Sequence, residues 1–192
     1  MLALGSARAA KLIGKNSVNI LMTSNNQELP AHMPSVKTSL GLIYAVNPFG
    51  ADHTSSCHDP LYEKPEPENK SSKEEISSTP LFLQQLGLIS PTKPRSLNSE
   101  KVRFSRITQD YNSLLDSLCI CMNVAGAFGS LVNPHELPYL LKAVSGWDVT
   151  FNELLMVGER RVNMMRMFNA RNGYDKRNDQ LPKRLFEPMH GG

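Results

Sequence analysis

Thr150-Phe151-Asn152-Glu153-Leu154-Leu155 is the stretch on which the fold reading turns. A threonine three residues before a glutamate, just ahead of an apolar run, marks a helix start. The hydroxyl accepts from the third helical amide, and the carboxylate reaches back to the first. Apolar residues then recur at Leu154, Leu155, Val157, Val162, Met165 and Phe168, and Gly173 marks the end. That pattern predicts one long helix. Upstream, Pro134 or His135 opens a shorter helix to about Val144, because proline suits a first helical turn. Earlier still, Asn98 or Ser99 caps a helix predicted to reach about Met122. Its apolar face comprises Val102, Ile107, Tyr111, Leu114, Leu115 and Leu118. No strand series, βαβ pattern or internal repeat accompanies these helices, so the fold class is all-α and multihelical.

The chain divides into three zones on the same reasoning. Residues 1–58 hold a short helix over Ala7–Ile13, capped by Ser6 and closed by Gly14. An extended piece around Val18–Met22 and a turn-rich stretch from Thr23 to Pro34 follow. A second helix is predicted from Ser35, its cap, to Val46, where Asn47-Pro48 stops it. Gly50 to His58 is then a polar loop. Residues 59–97 read as a polar insertion or linker: Asp59 to Ser78 carries six acids and three lysines without a periodic apolar face. Within it, Leu81 to Ile89 is apolar enough for a helical turn or two. Residues 98–192 form the strongly helical zone.

Composition excludes several classes. Of the 192 residues, 40% are hydrophobic and 20% charged, which argues against a disordered chain. The longest nearly unbroken apolar run, Leu40 to Val46, is far short of the roughly 20 residues that span a bilayer. No membrane partner is expected. Residues 1–27 contain Arg8, Lys11 and Lys15 and no acid. These cations interrupt the only candidate signal-peptide core. A net charge of +3 is too weak to imply nucleic acid. Three cysteines make no disulfide framework, and a cytoplasmic protein is expected.

Three clusters carry chemistry, each with a plainer alternative. Asp116, Cys119 and Cys121 stand at a predicted helix end; thiolates there suit iron–sulfur or zinc, or are simply small buried hydrophobes. Asp52, His53, Cys57, His58 and Asp59 crowd one loop; with Cys119 and Cys121 they could complete a zinc site, or be solvated. Residues 159–192 hold eight Lys/Arg against four acids, either a basic patch or a helix face with ion pairs.

These residues also carry a resemblance. Gln27-Glu28-Leu29-Pro30-Ala31-His32, then Gly41 to His53, resemble the segment before and through the histidine loop of the tungsten-dependent aldehyde:ferredoxin oxidoreductases. Asp116-Ser-Leu-Cys119-Ile120-Cys121 is similar to that family's D-x-x-G-L-C motif. Ala143 to Leu155, Gly158-Glu-Arg160, Phe168-Asn169 and Asp179-Gln-Leu-Pro182-Lys-Arg184 extend the likeness. It covers most of the chain outside 59–97 and implies the family's C-terminal helical region. The resemblance implies that Asp116 and Ile120 contact a tungsten or molybdenum bis-pterin cofactor. It implies Cys121 as both cofactor contact and last ligand of a [4Fe–4S] cluster, and His53 as the active-site histidine.

The departures shape the functional expectation. Cys119 replaces the motif glycine and Ile120 its leucine. A cubane needs four thiolates, the chain has three cysteines, and no C-x-x-C-x-x-x-C run is present. The resemblance therefore implies a fragment, whose cofactors need an N-terminal base domain on another stretch of polypeptide. The family reaction oxidises a small aldehyde to a carboxylic acid, with electrons leaving through the cluster to ferredoxin. The alternative is a non-catalytic helical fragment or interaction module without cofactors.

Overall fold

The computed structural model describes residues 2–63, 80–93, 95–126 and 131–187. Seven α-helices are found among them, with one two-stranded hairpin: α1 (Ser6–Ile13), α2 (Thr38–Val46), α3 (Leu81–Gln85), α4 (Ser99–Ser117), α5 (Met122–Ala125), α6 (Leu137–Ser145) and α7 (Phe151–Arg171). Strands β1 (Thr23–Ser24) and β2 (Gln27–Glu28) pair antiparallel, Thr23 opposite Glu28. The multihelical expectation holds, and the turn-rich stretch resolves into this hairpin. The polar run 64–79 lies outside the described residues.

Helices α4 and α7 were legible because their caps are local. The Asn98 side chain accepts from Lys101 N, and Thr150 and Glu153 form the reciprocal capping box. α4 is the hub. Phe104, Tyr111, Leu114 and Leu115 are buried in the main core with Tyr62, Leu83, Leu88, Leu137 and Leu154. Tyr62 stacks on Phe104 at a centroid separation of 5.0 Å, and Phe82 meets Tyr111 edge-on. The Tyr111 hydroxyl donates to Ala125 O at 2.6 Å, which ties α5 to α4.

Several expectations are corrected. Val102 is half exposed rather than a core residue. On α7 only Leu154 and Gly158 are buried, and Phe168 is exposed. The reason is geometric: α7 touches α4 along a narrow stripe. At Gly158 an added Cβ would lie 1.9 Å from Asp110 O and 2.9 Å from Leu114 N. The missing side chain is what lets the two backbones meet. Residues 17–20 form a 3-10 turn where an extended piece was expected. Gly5, not Ser6, sits at the N-cap of α1, and Glu28 supplies the bond by accepting from Ser6 N at 2.5 Å.

The start of α2 shows the strongest long-range constraint. Lys37 is its N-cap residue and makes no side-chain cap, so Ser35 does not begin the helix. The first-turn amides left without a helical partner are satisfied instead by Asp59, from the far side of the histidine loop. Ser39 N and Leu40 N donate to it at 3.0 and 3.4 Å, and the Ser39 hydroxyl donates as well. Lys101 of α4 completes the site at 2.6 Å and also reaches Glu63 at 2.7 Å. Asp59 and Lys101 are fully buried. Burial alone would raise the Asp59 pKa; the bonds from Lys101 and Ser39 outweigh it and hold the carboxyl below its ordinary range.

Gly158→Ala is expected to lower the unfolding free energy by about 2–3 kcal/mol, since backbone lies against the new methyl and cannot give way. Urea denaturation measures it; an unchanged midpoint would contradict the close α4–α7 approach.

Candidate functional site

The loop after α2 is held by contacts from four directions. Asn47 is extended ahead of Pro48, as proline requires of its predecessor. The buried Asn47 side chain donates to Gly50 O at 2.9 Å and accepts from Gln109 of α4 at 3.1 Å. From α7, Arg166 donates to Val46 O at 3.0 Å, and Asn169 donates to Pro48 O. Gly50 has φ 95°, and an added Cβ would lie 2.6 Å from Gln27 Cβ in the hairpin. That position needs glycine both for its left-handed backbone and for space. Further along, Asp52 accepts from Thr54 N at 3.1 Å and from Ser55 Oγ at 2.7 Å. Asn112 donates to Thr54 O at 2.8 Å. His53 is thus half-buried on a braced turn.

Two other histidines join it. The His32 ring centroid is 5.2 Å from that of His53 and 4.6 Å from that of His58; His53 and His58 are 6.1 Å apart. Lys37 Nζ lies 3.1 Å from His32 Nδ1 and 3.2 Å from His58 Nδ1. His58 Nε2 is 3.0 Å from His53 O. Burial first, then the Lys37 charge and the neighbouring rings, lower the His32 pKa. His58 is also lowered, by burial chiefly and by Lys37 and His53, against an opposing pull from its bond to His53 O and from Asp59. The resemblance gives His32 no role, and no sequence signal marks Lys37. Residues 32, 37, 53 and 58 share no periodicity, so nothing local announced their convergence.

Asp116, Ile120 and Cys121 lie at the end of α4. The helix stops at Ser117 rather than near Met122, because Cys119 turns left-handed with φ 56°. Cys119 N donates to Asp116 O at 3.2 Å, and Ile120 N donates to Leu115 O at 2.9 Å. That double bond is the usual glycine-bearing helix stop. Cys119 therefore occupies a glycine position. Ile120 is half-buried against the main core, and Cys121 is exposed at the N-cap of α5. Asp116 is exposed and ion-paired with Arg161 of α7 at 3.0 Å.

The histidine loop and Asp116 share one groove. Ser55, Asn112, Asp116 and Arg161 line it, and Asn112 is one helical turn before Asp116. The buried Asn112 Oδ1 has no hydrogen-bond partner there, an unmet acceptor beside an exposed carboxylate. The zinc reading is not supported. Cys57 is buried in the core while Cys119 and Cys121 are exposed, and among the described residues no group of three His, Cys, Asp or Glu is placed to hold a metal ion. In the basic C-terminal zone, Arg166 pairs with Asp179 through both oxygens at 2.6 and 2.7 Å, and Arg177 pairs with Asp175. No helix among the described residues is long and apolar enough to cross a membrane.

Comparison with known proteins identifies the family. The family described as "Aldehyde ferredoxin oxidoreductase, domains 2 & 3" matches residues 1–192. The chain is similar to the tungsten-containing aldehyde ferredoxin oxidoreductase of Pyrococcus furiosus, 32% identical over 193 residues, covering 100% of this chain and 27% of that protein. The proteins of the same name from Thermococcus kodakarensis and Pyrococcus abyssi are 31% and 30% identical, with the same coverage. The chain therefore spans about a quarter of the length of the curated relatives it matches.

Cys119→Gly is expected to raise the unfolding free energy by about 1 kcal/mol, by relieving the left-handed backbone at the helix stop. Equal or lower stability in urea would mean that Cys119 is not strained there.

Proposed function

Since the chain belongs to the aldehyde ferredoxin oxidoreductase family, we propose that it is the helical part of a tungsten-dependent enzyme oxidising small aldehydes to carboxylic acids. The observation that carries this reading is that the braced histidine loop, through Ser55, borders the same shallow crevice as the Asp116 end of α4. In this reading residues 1–58 supply the histidine loop, 59–97 are an insertion, and 98–192 carry the D-x-x-C-I-C motif.

The residues present fit as contributors to a cofactor site completed by other polypeptide. Asp116 and Cys121 are both exposed. The exposed Asp116 carboxylate is an acceptor that suits the amino and ring N–H donors of a pterin. Ile120 packs the turn between Asp116 and Cys121 onto the core. Cys121 would give one thiolate to a [4Fe–4S] cluster, whose remaining ligands exceed what three cysteines in this chain can offer. When bound, the tungsten or molybdenum bis-pterin would supply the two-electron redox chemistry and the cluster an electron exit towards ferredoxin.

This chain's own part is orientation and proton handling. His53, whose carbonyl is held by His58 and whose neighbour Thr54 is held by Asn112, would hydrogen-bond an aldehyde oxygen and carry a proton. The braced loop keeps that ring in place without help from the substrate. The partners are the rest of the enzyme, a ferredoxin and an aldehyde, in a cytoplasmic setting. One observation favours a second reading, a non-catalytic helical module: Asp116 is already neutralised by Arg161 at 3.0 Å.

Anaerobic purification after growth with tungstate and iron separates the two. The chain is produced alone and together with a polypeptide supplying the region of its relatives that it does not span. Tungsten, pterin and about four irons per complex in the joint sample, with iron lost in Cys121→Ser, are expected. No metal in either sample would leave the non-catalytic module.

A further inference from the structure

We infer that Lys37 is a positioning residue for His53: its ammonium donates to Nδ1 of both His32 and His58, fixes both rings as Nε2–H tautomers, and through His58 holds the His53 carbonyl. The inference rests on the reading of His53 as the proton-handling residue.

The tautomers follow from which atoms can donate. An ammonium has donors only, so the nitrogens 3.1 and 3.2 Å from Lys37 Nζ must accept. The proton of each neutral ring is then on Nε2. A backbone carbonyl has acceptors only, so His58 Nε2, 3.0 Å from His53 O, must donate. Two separate contacts thus assign the same tautomer to His58. Protonating either ring on Nδ1 would aim an N–H at the ammonium and break its bond to Lys37.

The surrounding charges agree. His32 is faced by Lys37, His53 and His58, all of which oppose a further positive charge. His58 is faced by Lys37 and His53, and by Asp59, which pulls the other way. Asp59 is already engaged by Lys101, Ser39 and Leu40. The result is a cluster of three imidazoles in which Lys37 carries the fixed charge. His53 lies 5.2 and 6.1 Å from the His32 and His58 rings.

Two-bond nitrogen–proton NMR spectra of the 192-residue chain test this directly. They are recorded from about pH 5 to 8, the range in which imidazoles titrate, and His32→Gln and His58→Gln assign the rings. Wild type is expected to show His32 and His58 as Nε2–H. Lys37→Met is expected to mix the tautomers of both rings and move both titration midpoints upward, with the thermal melt still cooperative. An Nδ1–H ring at either position in wild type overturns the inference, as do unchanged tautomers in Lys37→Met. If Lys37→Met does not fold, the wild-type spectra decide alone. The spectra need neither tungsten nor a partner, so this inference and the oxidoreductase reading fail on different measurements.

Discussion

The buried ion pair between Asp59 and Lys101 is the constraint on which the arrangement depends. Asp59 sits immediately after the histidine loop, caps α2 on the other side of that loop, and is anchored to α4 by the lysine. One carboxylate therefore closes the loop, starts a helix and sets the position of both against the central helix. Desolvation offsets much of the attraction in such a pair. Its value lies in specificity, because an unpaired Lys101 or Asp59 in that interior would be far costlier than any misplacement the pair prevents.

The rest of the site is built outward from this anchor. α4 presents Gln109 and Asn112 to the loop and carries Asp116 in its last turn, so one helix holds both the brace for the histidine loop and the carboxylate of the motif. α7 lies against α4 at Gly158 and contributes Arg161, Arg166 and Asn169, which hold Asp116, Val46 and Pro48. The exposed edge left by these contacts includes the Cys121 thiol. A scaffold braced on its inner side, with ligating groups on its outer side, is what a cofactor shared with other polypeptide would require.

What was legible in the sequence was local. The capping box at Thr150, the cap at Asn98 and the stop at Asn47-Pro48 each act within four residues; the first and last are read directly from the sequence, and the second as one of two neighbouring candidates, Asn98 or Ser99. What was missed acts across the chain. The cap of α2 comes from Asp59, some twenty residues after the helix start, so the nearest serine was credited instead. The end of α4 was overrun because cysteine gives no hint of a left-handed residue where glycine would have. His53, Asp116 and Cys121 stood out as clusters in the sequence, and their roles, with Ile120, came through the resemblance; that the histidine loop meets Asp116 through Ser55 needed the fold, and the Lys37 bridge had no sequence signal at all.

A double-mutant cycle on Asp59→Asn and Lys101→Met, read by urea unfolding, tests the anchoring role most directly. Each single change is expected to cost about 3–5 kcal/mol by stranding its partner. The double variant is expected to lose much less than the sum, with a coupling above about 2 kcal/mol. Additive losses would contradict the account, since Asp59 and Lys101 would then act independently and the loop would be held by its other contacts alone.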